Sequence, residues 1–117
     1  MSIENALASV AVRDVDAAAK WYAKLLGKGG SRPMPEVAEW TFPRGGGLQV
    51  YELAERAGAC SVTLAVSDLD EEIRKLDAMG VDTSERSASS RVKTVMVSDP
   101  DGNHVAIAQA LDAALAR

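Results

Sequence analysis

Apolar and polar residues alternate in two stretches of the chain that share one pattern. The stretch "VAVRDVD" at residues 10–16 matches "LAVSDLD" at residues 64–70. Such alternation is typical of a β-strand with one buried face. Each strand leads into an aspartate, Asp14 or Asp68, whose side chain can accept a hydrogen bond from the free amides of a helix's first turn. The pattern predicts two copies of one plan, each with a strand followed by a helix.

Apolar residues recur at helical spacing after each aspartate, which predicts two amphipathic helices. Their apolar stripes comprise Val15, Ala18, Tyr22, Leu25 and Leu26 in the first and Leu69, Ile73, Leu76 and Met79 in the second. Gly27 and Gly80 follow these stripes, and glycine readily adopts the left-handed conformation that ends a helix. In the second copy Glu71 stands at the capping-box spacing after Asp68.

Shorter strands are predicted after each helix, so that each copy has a strand, a helix and then about three strands. The candidates are "AEWTF" and "GLQVYE" at residues 38–42 and 47–52, and "VDTSE", "KTVMV" and "NHVAIAQ" at 81–85, 93–97 and 103–109. The segments "PRGGG" and "DPDG" favour hairpin turns. The polar run "TSERSASSR" at 83–91 favours a loop, and "LDAALA" at 111–116 favours a short helix.

Composition narrows the class of protein. The chain has 117 residues, 47% of them hydrophobic, which fits one compact domain. Its net charge of −4 leaves no basic excess for phosphates, so we expect no nucleic-acid partner. We also expect no membrane partner and a cytoplasmic location, because neither a signal segment nor a long apolar run occurs. The single cysteine, Cys60, is interpreted as a small buried hydrophobic residue.

Three segments together make the chain resemble the vicinal oxygen chelate superfamily. They are "VAVRDVDAAAKWYAKLLG", "SVTLAVSDLDEEIRKLDAMG" and "VSDPDGNHVAIAQ". The superfamily contains glyoxalase I, extradiol dioxygenases, fosfomycin-resistance enzymes and bleomycin-resistance proteins. The resemblance implies an α+β fold in which two βαβββ modules, residues 1–57 and 58–117, form an incomplete barrel around a cavity within one domain, 1–117. It also implies a homodimer, because many members are dimeric. The resemblance does not imply one reaction, because the same scaffold serves several chemistries in this superfamily.

The resemblance also locates the positions at which metal-dependent members carry their ligands. These positions hold Leu7, Gln49, Ser61 and Ala106. Because catalytic divalent metals need imidazole nitrogens or carboxylate oxygens, we expect no metal, no cofactor and no catalytic residue at these positions. Glu52, at the end of its strand, is the substitute ligand to consider. A relocated metal site built from Glu52 and His104 would support an alternative interpretation of the chain as an enzyme.

Alternation along the strands also separates side chains that face the helices from side chains that face the cavity. The predicted ligand-binding residues are Ser9, Glu39, Trp40, Gln49, Tyr51, Ser61, Thr63 and His104. Glu39 would favour a cationic ligand. Trp40 has two interpretations, because the repeat aligns it with Val97 on the helix side, whereas a shifted register would let it stack on a planar ligand. His104 lies at the exit of a turn and has three interpretations. Its side chain forms a hydrogen bond with solvent or backbone at the turn, contacts a ligand, or acts as a catalytic acid or base.

These observations favour a metal-independent small-molecule binding protein that resembles bleomycin-resistance proteins and sequesters an antibiotic or metabolite. The enzyme alternative is a glyoxalase-type lyase or isomerase with the relocated metal site. A further alternative is an interaction module whose cleft is closed by its own dimer, with Tyr51 filling the interface. Metal content and oligomeric state separate these three interpretations.

Overall fold

The computed structural model describes residues 2–111, and within them the chain forms two mixed sheets of four strands, each with one α-helix. The first repeat contains β1 (Leu7–Val12), α1 (Val15–Leu26), β2 (Ser31–Met34), β3 (Val37–Thr41) and β4 (Gly47–Glu52). The second contains β5 (Ser61–Ala65), α2 (Leu69–Ala78), β6 (Arg86–Ala88), β7 (Val92–Ser98) and β8 (His104–Ala110). The strand orders β1-β4-β3-β2 and β5-β8-β7-β6 are equivalent, which confirms the predicted α+β fold of two βαβββ repeats.

Contacts divide the chain into two units. The first contains the residues up to Cys60 together with Pro100–Asn103, and the second contains Ser61–Asp99 and the residues from His104 onward. The turn between β7 and β8 therefore belongs to the first unit, although its strands belong to the second. The module boundary predicted from the sequence, between residues 57 and 58, lies just before the unit boundary. No helix within residues 2–111 is long and apolar enough to cross a bilayer.

Both helices begin at the predicted aspartates. The Asp14 carboxylate accepts hydrogen bonds from the amides of Asp16 and Ala17 at 3.0 and 3.2 Å, and Asp68 accepts one from the Glu71 amide at 3.1 Å. Helix α1 ends at Gly27, whose φ of 74° is left-handed, so the predicted stop is confirmed. These caps fix where each helix leaves its sheet.

Each unit buries one face of its sheet beneath its own helix. In the first unit, Val10, Val12, Leu48 and Val50 are fully buried. In the second, Val95 and Val105 are fully buried and Ile107 is 1% exposed. Each fully buried aliphatic side chain of this size contributes about 1.5–3 kcal/mol to folding. Val10, Val12, Leu48, Val50, Val105 and Ile107 alternate with the predicted ligand-binding residues, and their burial agrees with that alternation. Leu64 and Val66, which have the same parity in the second repeat, are only half-buried.

The predicted hairpins are present. Between β3 and β4 the Phe42 amide donates to the Gly46 carbonyl at 3.2 Å, and the Gly45 amide donates to the Phe42 carbonyl at 3.1 Å. Between β7 and β8, Ser98 pairs with His104 across the "DPDG" turn. Both turns therefore join antiparallel strands, as their glycine-rich and proline-containing sequences indicate.

Two strands differ from the sequence prediction. About three strands were predicted after each helix, but no segment was assigned to β2, and β6 lies inside the polar run predicted as a loop. Conversely, "VDTSE" forms no strand, because Thr83 donates to Asp77 at 2.6 Å and the Ser84 amide donates to Asp82 at 2.9 Å, which holds the segment as a loop. All residues of β2 and β6 are exposed, so neither strand has the alternation that marks a half-buried strand. The terminal helix predicted over residues 111–116 lies outside the described residues from residue 112 onward.

Candidate functional site

A row of polar side chains crosses the face of the first sheet that is opposite α1. Ser9 of β1 pairs with Gln49 of β4, and Gln49 pairs with Glu39 of β3. Directly paired residues on neighbouring strands project from the same face of a sheet. We call these three residues the polar row. All three were predicted from alternation to line a binding site, and the register brings them together.

The polar row is connected by hydrogen bonds. The Gln49 amide nitrogen, Nε2, donates to Oε2 of Glu39 at 2.9 Å, and the Ser9 hydroxyl donates to Oε1 of Gln49 at 3.3 Å. Glu39 and Gln49 are half-buried, and Ser9 is exposed. The sequence placed these residues on one face, but the bonds between them depend on the strand register, which alternation alone does not reveal.

Apolar side chains lie on both sides of the polar row. On one side lie the paired positions Leu7, Gly47 and Thr41, and Leu7 is 47% exposed. On the other side, the paired positions are Ala11, Tyr51, Val37 and Met34. Ala11 and Val37 are buried, whereas Tyr51 is half-buried and Met34 is 50% exposed. The polar row therefore lies where this face passes from exposed to buried.

The second sheet has a corresponding face opposite α2. Ser61 of β5 pairs with His104 of β8, which pairs in turn with Ser98 of β7. Thr63 pairs with Ala106 on the same face. Ser61, Thr63 and His104 are all exposed, and His104 directly follows the turn, as the sequence indicates. The register therefore brings the three predicted residues of this repeat together on one small-residue surface.

Trp40 lies apart from the other predicted ligand-binding residues. Its side chain is 2% exposed and its ring centroid lies 6.2 Å from that of Tyr22 of α1. Its indole nitrogen donates to the Lys28 carbonyl at 2.9 Å. A methyl group on Gly30 would lie only 2.7 Å from the ring, so the backbone packs closely against it. The structure thus places Trp40 in the core, in agreement with the helix-side interpretation, and we leave it out of the candidate site.

The positions that hold metal ligands elsewhere in the superfamily do not fit a divalent ion. Leu7 and Ala106 carry no donor atom, and Gln49 is engaged in the polar row. Glu52, the substitute ligand, accepts a hydrogen bond from the Val15 amide through Oε1 at 3.1 Å. Within residues 2–111, no group of three or more His, Cys, Asp or Glu side chains is arranged to hold a metal ion. Hard and borderline divalent ions require a denser set of such donors.

Asn103 supports the first sheet from the "DPDGN" turn, and the sequence prediction missed it. Its side chain is fully buried. Oδ1 accepts from the amides of Gly58 and Cys60 at 2.8 and 3.0 Å, and Nδ2 donates to the Ala11 carbonyl at 2.8 Å. Asn103 thereby fixes β1, the strand that carries Ser9. A polar residue directly after a tight turn gave no signal that it would be buried.

The second unit also contains a groove of about 250 Å³ that includes none of the predicted ligand-binding residues. Its walls come from α2, β6 and β7, and they comprise Leu69, Asp70, Ile73, Arg86, Ser87, Ala88, Lys93 and Thr94. Lys93 lies 3.6 Å from Asp70, so opposite charges meet at its rim. Arg86 and Lys93 are cationic and Asp70 is anionic, so side chains of both charges line this groove.

Comparisons with known proteins identify the family. The model of the glyoxalase-like domain family matches residues 8–108. A glyoxalase/bleomycin resistance protein from Catenulispora acidiphila is 34% identical, with a TM-score of 0.80 over 92% of this chain and 98% of that one. No curated protein matches the chain.

Two more distant structures share the fold. TnmS3, an antibiotic binding protein from Streptomyces sp. CB03234, is 22% identical, with a TM-score of 0.78 over 94% of this chain and 98% of that one. The oxidase ChaP-H2 is 20% identical, with a TM-score of 0.77 over 93% and 94% of the two chains. One fold thus serves a binding protein and an oxidase. On the match over residues 8–108, the chain belongs to the glyoxalase-like domain family, within the vicinal oxygen chelate superfamily.

Proposed function

We propose that this protein is a metal-independent small-molecule binding protein that sequesters its ligand on the face of the first sheet opposite α1. We further propose that the protein is a cytoplasmic homodimer and that none of the predicted ligand-binding residues is catalytic. The observation that carries it is the polar row, in which Gln49 occupies a metal-ligand position of the superfamily yet is hydrogen-bonded to Glu39 at 2.9 Å.

The chemistry of this face is that of a ligand site. Small-molecule sites combine a mainly apolar lining with a few polar groups that are held in fixed positions. Here the hydroxyl, amide and carboxylate of the polar row are held by one another, between Leu7 on one side and Tyr51 on the other. The antibiotic binding by TnmS3, which shares the fold, supports a sequestering role for this chain as well.

The test combines metal analysis with a ligand screen. We expect protein purified without chelator to contain no stoichiometric metal, and added Ni²⁺, Zn²⁺, Mn²⁺ or Fe²⁺ to leave the Tm unchanged. In a screen of planar and cationic antibiotics, we expect some compounds to raise the Tm of the wild type. The same compounds should raise the Tm of Gln49→Ala by a smaller amount. A stoichiometric metal that supports turnover would overturn the proposal and favour a glyoxalase-type enzyme.

The dimer is tested through Tyr51, which is half-buried beside the polar row. If Tyr51 faces ligand, Tyr51→Ala weakens ligand binding and leaves the elution volume in size-exclusion chromatography unchanged. If the variant instead dissociates the dimer and leaves ligand affinity unchanged, Tyr51 fills an interface and the interaction-module interpretation holds.

A further inference from the structure

The hydrogen bonds of the polar row run in a single direction. An ionised carboxylate accepts hydrogen bonds and donates none, so the Gln49 atom 2.9 Å from Glu39 is the amide nitrogen. The carbonyl oxygen of the same amide therefore faces Ser9, and the Ser9 hydroxyl uses its hydrogen to reach that oxygen. Glu39 thus fixes the orientation of both neighbouring side chains.

This direction determines what the polar row offers to a ligand. The Ser9 hydrogen and one Gln49 N–H are used within the row, whereas lone pairs remain on the Ser9 hydroxyl and the Gln49 carbonyl. The second carboxylate oxygen of Glu39, Oε1, accepts no hydrogen bond from residues 2–111. The polar row therefore offers a ligand hydrogen-bond acceptors on all three residues but only one free donor, the second N–H of Gln49.

Within residues 2–111, no ion pair neutralises the charge of Glu39. The ion pairs among the described residues include Arg13 with Asp101, Arg32 with Asp16, Lys75 with Glu72 and Lys93 with Asp70. Glu39 is half-buried, and hydrogen bonds to a charged group are stronger where water is partly excluded. The carboxylate is therefore available to a positively charged ligand.

We propose that the ligand of this site is an organic cation with N–H donors, such as an amidinium, a guanidinium or a primary ammonium. This inference rests on the proposed binding function and specifies its ligand class. A planar amidinium presents two parallel N–H groups to one carboxylate, which matches Glu39, and its apolar part packs along the flanking row that contains Tyr51. A quaternary ammonium of equal charge lacks the N–H groups that the acceptors require.

The experiment compares four aromatic probes of similar size by ¹H–¹⁵N chemical-shift titration of the wild type. Benzamidine carries charge and N–H groups, phenyltrimethylammonium carries charge alone, benzamide carries N–H groups alone, and benzoate is an anion. We expect benzamidine to bind at least about tenfold more tightly than the other three and to shift the amides of β1, β3 and β4. Equal affinities for the two cations would overturn the requirement for N–H groups.

Two variants with the same change of charge supply the control. Glu39→Gln removes the acceptor charge, and we expect it to raise the benzamidine Kd at least about tenfold. Glu36→Gln removes an exposed carboxylate in the adjacent turn, and we expect its Kd to stay within about twofold of the wild type. An equal effect of both variants would show that only the overall charge matters and would overturn the proposal.

The outcomes separate this inference from the proposed function. If no probe binds but other compounds in the antibiotic screen shift the same strands, the site is a ligand site and the cation inference is wrong. If no small molecule of either set binds, both proposals fail. Stronger binding of benzoate than of benzamidine would likewise refute the cation inference while leaving the binding function in place.

Discussion

The carboxylate of Glu52 accepts a hydrogen bond from the backbone amide of Val15 at 3.1 Å. In the second repeat, Gln109 accepts the corresponding bond from the Leu69 amide at 2.9 Å. Each acceptor lies near the end of a strand that runs parallel to the first strand of its repeat, so it reaches the start of the helix that follows. Both repeats thus use a strand side chain to satisfy a helix amide that the capping aspartate does not reach.

This equivalence predicts that glutamine can replace Glu52. Glu52→Ala leaves the Val15 amide without its partner, and we expect it to lower the free energy of unfolding by about 1 kcal/mol. Glu52→Gln keeps an acceptor and copies the second repeat, so its loss should be under about 0.5 kcal/mol. Urea denaturation measures both. Equal losses for the two variants would show that the charge, rather than the acceptor atom, stabilises the helix.

Asn103 is the polar side chain whose loss should cost most within the first unit. Asn103→Ala removes the acceptor for the Gly58 and Cys60 amides and the donor to the Ala11 carbonyl. Because the Ala11 carbonyl is left unpaired in a buried site and two amides lose a partly buried acceptor, we expect a loss of about 3 kcal/mol in the free energy of unfolding. Urea denaturation followed by circular dichroism measures the loss.

Asn5 provides a matched control for Asn103. Its side chain also accepts from backbone amides, those of Ala6 and Gly46 at 2.9 and 2.7 Å, but it is exposed. Water can replace an exposed acceptor, so Asn5→Ala should cost less than about 1 kcal/mol. A loss equal to that of Asn103→Ala would mean that burial does not set the cost.

The pKa of Asp82 provides a prediction about pH. Hydrogen bonds from the Ser84 side chain and then from its amide hold the pKa of Asp82 below its ordinary value. A carboxyl group with a lowered folded-state pKa stabilises the fold above its unfolded pKa, and this contribution is lost as the pH falls through the folded value. Ser84→Ala removes the first of these bonds, so the pKa of Asp82 should rise. Carboxyl ¹³C NMR titration measures it, with Ser90→Ala as the exposed control that should leave it unchanged.

The sequence predicted those elements in which a local chemical rule and the tertiary structure agree. Asp14 and Asp68 cap helices because their carboxylates reach amides within the same turn, so no distant residue is needed. Ser9, Gln49 and Glu39 fall on one face because side chains alternate along any strand. The strands β2 and β6 escaped prediction because edge strands exposed along their whole length have no alternation to detect.

The contacts that the sequence did not reveal join residues far apart in the chain. Asn103 reaches Ala11 across 92 positions, and Glu52 reaches Val15 across 37. Neither bond follows from periodicity, because it depends on which strands are neighbours. The same limit explains why the sequence left two interpretations open for Trp40, whose environment is set by α1.

The position of Trp40 leads to a prediction that separates packing from ligand contact. Trp40→Phe removes the hydrogen bond to the Lys28 carbonyl and part of a ring packed against Tyr22, so we expect a loss of about 2 kcal/mol in the free energy of unfolding. The benzamidine Kd should stay within about twofold of the wild type, because the ring lies on the helix side of β3. Trp21→Phe is the control, since Trp21 is half-buried and should cost less. Unchanged stability with an affinity reduced about tenfold would instead place Trp40 against the ligand.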